Sequence, residues 1–131
     1  ERCDVLRGVV LEQPRCSDQE LATWLAHAQA LLFPSFAEGY GMPLVEALSV
    51  GLPVLASDLP AFREVARDVP EYLDPLDGPA WAQAIIDYMP NAGNQRRQAQ
   101  CRRMAEWQAP TWDAHFARVD DMLQRSNVGL A

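Results

Sequence analysis

The chain has 131 residues, 49% of them apolar and 22% charged, the proportions of a single globular domain, which exclude disorder and collagen-like structure. All eleven basic side chains are arginine, set against eighteen acids for a formal charge of −7. That acidic balance excludes general electrostatic binding of nucleic acid, and no apolar run exceeds Ala30-Leu31-Leu32-Phe33, far short of the roughly 20 residues of a membrane span.

In chain order, Val9-Val10-Leu11 reads as a short strand on its β-branched content. Asp18 is the expected N-cap of a helix in which Leu21, Trp24, Leu25 and Ala28 recur at helical spacing. Ala30-Leu31-Leu32-Phe33 reads as a strand buried on both faces. A glycine-bearing loop follows over residues 35–42. Pro43 suits the first turn of the next helix, over residues 43–50, and Gly51 suits its end. Residues 53–57 read as a buried strand, 60–66 as a short helix and 71–73 as a short strand. After Leu73 the pattern turns helical. Pro79 opens a helix with an apolar stripe of Ala82, Ile85, Ile86 and Met89. A polar turn at 91–94 leads to an arginine-rich helix over 95–107. Thr111 caps a last helix, at 111–126, with Trp112, Phe116, Val119 and Leu123 as its buried face. Strands alternating with short helices predict an α/β fold with a parallel sheet and a helical C-terminal tail.

Cys3, Cys16 and Cys101 are odd in number and lack ligand-like spacing, so free thiols are expected. His27 and His115 stand alone, and no metal site is expected from them. Arg63 and Glu64 read as a solvated first turn. Arg96, Arg97, Arg102 and Arg103 read as a solvated helix face, with contact to anionic lipid as the sharper alternative. The start, Glu1-Arg2-Cys3-Asp4, lacks a methionine and a signal-peptide pattern, and it reads as the beginning of a piece cut from a longer chain.

The segment from Phe33 to Leu48 carries the chemistry. In open parallel sheets, ligands bind beyond the carboxyl ends of the strands. A helix N-terminus placed there offers free amides and a positive dipole end to a phosphate. Gly39 and Gly41 leave room for a ligand to approach the backbone. Glu38 lies in the loop, and Glu46 is expected in the first turn of the helix. Carboxylates bind phosphate poorly but accept well from sugar hydroxyls. Two acids flanking a phosphate site therefore point to a sugar nucleotide. The bland alternative is a solvated loop acid and a dipole-complementing helix acid.

The same stretch resembles the signature of the retaining glycosyltransferases of family 4, the group 1 glycosyltransferases of GT-B fold. The resemblance rests on Phe33-Pro34-Ser35, Glu38-Gly39-Tyr40-Gly41-Met42-Pro43-Leu44-Val45-Glu46-Ala47, Gly51-Leu52-Pro53-Val54-Leu55-Ala56-Ser57-Asp58 and Pro60-Ala61-Phe62-Arg63-Glu64-Val65. It implies a Rossmann-like parallel sheet with helices on both faces, forming part of a C-terminal, donor-binding domain. Glu38 is then the catalytic residue at the transferred sugar, and Glu46 the ribose ligand. Gly39, Tyr40, Gly41, Met42, Pro43 and Leu44 complete the donor site. The donor would be a UDP- or GDP-linked hexose, transferred with retention to a glycan or lipid-linked sugar. No cofactor and no obligatory metal are implied.

The chain also departs from that pattern. Family members clamp the diphosphate with an arginine and a lysine upstream of this segment, and this chain has no lysine. The whole of 1–131 therefore reads as an N-terminally truncated donor-binding domain, inactive alone, whose partner is the absent N-terminal acceptor-binding domain. Without that domain, the apolar face of the last helix would be exposed and would pair with a second copy. The expected location is the cytoplasm, peripheral at the inner membrane face. The alternative function is a non-catalytic module that binds a nucleotide sugar or a protein.

Overall fold

The computed structural model describes residues 8–90 and 95–127. The expected turn at 91–94, Cys3 and the start of the chain lie outside the described residues. The elements run α1 (Asp18–His27), β1 (Leu31–Phe33), α2 (Met42–Ser49), β2 (Val54–Ser57), α3 (Pro60–Ala66), β3 (Glu71–Leu73), α4 (Gly78–Tyr88), α5 (Gln95–Glu106) and α6 (Trp112–Asn127). The three strands form a parallel sheet in the order β1-β2-β3. The fold is α/β and Rossmann-like, with a helical C-terminal tail, as expected.

Parallel neighbours require crossovers, and here α2 and α3 supply them. Strand alternation divides the sheet into two faces. Val54 and Ala56 of β2 pack with Leu44, Ala47 and Leu48 of α2 and with Phe62 and Ala66 of α3. Leu55 points the other way and packs with Leu73 and with Trp81, Ala84 and Tyr88 of α4. Helices therefore cover both faces. β2 is buried at all four positions, and each of its larger side chains contributes about 1.5–3 kcal/mol by burial.

α5 ties down the amino-terminal end of the sheet. Gln100 is fully buried, donates to the Val54 carbonyl at 2.7 Å and accepts from the Tyr88 hydroxyl at 2.8 Å. Arg96 pairs with Glu71 at 2.7 Å and Asp87 at 3.2 Å, and Arg103 donates to the Val69 carbonyl. Among the described residues no helix is long and apolar enough to cross a membrane.

Several expectations are corrected. Val9, Val10 and Leu11 are exposed, with a single bridge at Val10 rather than a strand; three apolar residues do not hold a strand that no packed layer covers. The N-cap of α1 is Ser17, not Asp18, because Ser17 and Glu20 form a reciprocal capping box. The apolar side of α1 is mostly open, with Leu25 alone of its stripe packed against the core. β1 is not buried on both faces: Leu32 is 45% exposed, since β1 is the edge strand of the described sheet. The buried face of α4 is Trp81, Ala84 and Tyr88, while Ile85, Ile86 and Met89 are exposed. The two aromatics win because each buries a large ring and still bonds its polar tip, Trp81 to the Asp74 carbonyl and Tyr88 to Gln100.

Arg96 and Arg103 are neither a solvated face nor a lipid-binding one, since acids and a carbonyl at the sheet edge hold them. On α6, Thr111 caps as expected, accepting from Ala114 N–H at 3.2 Å. Its apolar face is open rather than buried: Trp112, Phe116, Met122 and Leu123 are exposed, and Val119 is half-buried.

Candidate functional site

The site is built where β1 ends. Phe33 leaves the strand with its ring stacked on Phe62 of α3, centroids 5.0 Å apart. The chain then loops through residues 34–41 and enters α2 at Gly41. Gly41 takes the left-handed region, with φ +87° and ψ +49°, which costs other residues about 1–2 kcal/mol. A Cβ there would also lie 2.5 Å from Phe62 Cε1. Both ends of the loop are thus fixed against one buried ring.

At the start of α2, Leu44 and Val45 N–H groups turn back to the Gly41 carbonyl at 3.0 and 3.3 Å. No side chain caps this terminus, and Pro43 removes one amide that would need a cap. An uncapped helix start at the carboxyl end of a parallel strand suits an anion.

Glu38 is exposed in the loop, and its Oε1 accepts from the Ser35 hydroxyl at 2.7 Å. Glu46 lies on α2, half-buried, with no side-chain bond to another described residue. It stands in the second turn and not the first, since α2 begins at Met42 and its first turn holds no acid. The dipole-complementing explanation of Glu46 therefore weakens, because that effect fades beyond the first turn. Gly39 has no positive φ, and a Cβ there would meet open space. Tyr40 and Met42 are exposed at the lip of the loop, 43% and 54%. Leu44 sits in the core with its amide bonded to Gly41, so it helps fix the helix start rather than presenting a side chain. Tyr40 and Met42 also border a cavity of about 740 Å³ that reaches to Trp107 and Trp112.

Two features were not singled out from sequence. Ser35 bonds the loop glutamate, a signal readable in the S-x-x-E spacing. Phe62 backs the glycine, which no local pattern announces. Arg63 is exposed, as expected, and there it bridges Asp58 and Asp68 and lies over the Tyr72 ring at 4.4 Å. The hydrogen bond from Arg63 holds Asp58 below the usual carboxylate range, and burial pushes Tyr72 up. Among the described residues, no group of three histidine, cysteine, aspartate or glutamate side chains is placed to hold a metal ion.

Comparison with known proteins gives a family match that includes this region. The model of the family described as Glycosyl transferases group 1 matches residues 2–91. The chain is 40% identical over 78 residues to the O-antigen chain mannosyltransferase RfbU of Salmonella typhimurium, covering 58% of this chain and 22% of that protein. It is 32% identical over 96 residues to O-antigen chain mannosyltransferase B of Escherichia coli, covering 73% and 25%. An MMP alpha-(1->4)-mannosyltransferase of Mycolicibacterium hassiacum is 47% identical over 49 residues. The chain thus spans a quarter or less of the length of these relatives. No solved structure gives a significant match.

Proposed function

Because the chain belongs to the glycosyl transferases of group 1, we propose that it forms the donor-binding part of a hexosyltransferase that uses a nucleoside-diphosphate sugar. The observation that carries this reading is the loop between β1 and α2, with Glu38 held in it, Glu46 further along the same helix and an uncapped helix start between them. The diphosphate would lie at the start of α2. Glu46 would accept from the ribose hydroxyls, as acids do in dinucleotide folds. Glu38 would face the transferred sugar and support positive charge developing at its anomeric carbon. The relatives named above are mannosyltransferases, and mannose is the hexose we assign, with transfer to a glycan or lipid-linked acceptor and retention of configuration.

The reaction would run in the cytoplasm, peripheral at the inner membrane face. The proposed partners are the nucleotide-sugar donor and an N-terminal acceptor-binding domain. No cofactor or obligatory metal enters the proposal. A non-catalytic module that binds a nucleotide sugar or a protein is the second reading.

A donor screen on the full-length polypeptide, with GDP- and UDP-linked hexoses, tests the reading. The expected result is acceptor-dependent release of nucleoside diphosphate from a mannose donor, and weaker calorimetric donor binding in Glu46→Ala. Donor binding without turnover would favour the module, and unchanged affinity in Glu46→Ala would remove that residue from the ribose role.

A further inference from the structure

We infer that Ser35 is a positioning residue for Glu38, fixing one oxygen of that carboxylate and leaving the other to the transferred sugar. The inference rests on the proposed function, in which Glu38 faces the sugar. Its basis is the bond from Ser35 Oγ to Glu38 Oε1, at 2.7 Å, within the short range of hydroxyl–carboxylate hydrogen bonds. A serine hydroxyl has one hydrogen to donate, so this bond sets the direction of the hydroxyl as well as the place of the carboxylate.

The surroundings make the bond matter. Glu38 is exposed, and a free exposed glutamate samples many rotamers. The backbone on either side is already fixed: Phe33 stacks on Phe62, and Gly41 is pressed against the same ring. The side chain of Glu38 is then the mobile part of an otherwise anchored loop. Ser35 removes that freedom from within the loop, where a hydroxyl three residues earlier reaches Oε1. Oε2 of Glu38 has no bond to a described residue. Ser35 thus supplies preorganisation, which raises rate when the oriented group meets charge that develops in the transition state.

The test is a double-mutant cycle in the full-length polypeptide, read as steady-state transfer from GDP-mannose and the UDP-hexoses of the donor screen. Ser35→Ala should lower kcat by about tenfold, the scale of one hydrogen bond to a charged group, with the donor KM within about twofold. Ser35→Thr, which keeps the hydroxyl, should restore most of kcat. On a Glu38→Gln background, Ser35→Ala should cause little further loss. Wild-type kcat in Ser35→Ala, or an equal loss with and without Glu38, would overturn the positioning role. Wild-type kcat in Glu38→Gln would instead contradict the proposed function, so the two failures are told apart.

Discussion

Gly41 and Phe62 meet so closely that a single added methyl would collide: a Cβ at Gly41 would sit 2.5 Å from Cε1 and 2.8 Å from Cδ1 of the fully buried ring. Gly41 also holds φ +87°. Gly41→Ala should therefore cost about 3 kcal/mol, combining left-handed strain with overpacking, measured by denaturant unfolding. Gly39→Ala should change stability by less than about 0.5 kcal/mol, because its Cβ would meet open space, while lowering donor affinity. Equal stability losses at the two glycines would contradict this division of roles.

Gln100 joins α5, α4 and β2 through two buried hydrogen bonds. Gln100→Leu keeps the volume but strands the Tyr88 hydroxyl, and should cost about 3 kcal/mol. Tyr88→Phe should cost about 1–2 kcal/mol. Thermal or chemical unfolding of both variants checks the ranking, and a neutral Gln100→Leu would show that the network contributes little.

The Asp58–Arg63 pair predicts a pH dependence. The hydrogen bond from Arg63 depresses the folded-state pKa of Asp58. A depressed carboxylate contributes stability that is present above its unfolded value and lost as pH falls through the folded one. The chain should lose stability on acidification below the ordinary aspartate range, and Asp58→Asn should flatten that slope. Since Arg63 and Asp58 are 44% and 48% exposed, the effect should shrink in high salt. Melting curves across acidic pH, at low and high salt, provide the check; an unchanged slope in Asp58→Asn would place the acid sensitivity elsewhere.

The open face of α6 predicts self-association. Trp112 stacks on Phe116 at 6.0 Å, and both rings are exposed together with Met122 and Leu123. The 131-residue chain should associate with concentration, and the double variant Phe116→Glu/Leu123→Glu should stay monomeric in sedimentation velocity. Association that persists in the double variant would point to another face, such as Ile85 and Ile86 of α4 with Met89 at its C-cap.

The alternation of strand and helix was legible because β2 is an apolar run bounded by Pro53 and Asp58, and because Pro43, Gly51 and Pro60 mark helix ends by their backbone restrictions. The sides of the helices were less legible. The stripe Ile85-Ile86-Met89 is as apolar as any in the chain, yet Trp81 and Tyr88 take the core through the partners that their polar tips find across the fold. The position of Arg96 was missed for the same reason, since Glu71 lies 25 residues away in sequence. At the site, Glu38, Glu46 and the glycines were readable from local order. Phe62 was not, since its contact with Gly41 exists only once α3 folds back over β1.

The central claim is that the loop between β1 and α2 carries the sugar end of a donor site, with Glu38 at the reacting carbon. Its most direct test is turnover of the full-length polypeptide carrying Glu38→Ala, on the best donor from the screen. The account predicts a fall of more than about a hundredfold, or about 2.7 kcal/mol of transition-state stabilisation, with folding unchanged because the side chain is exposed. Near-normal turnover in that variant would contradict it.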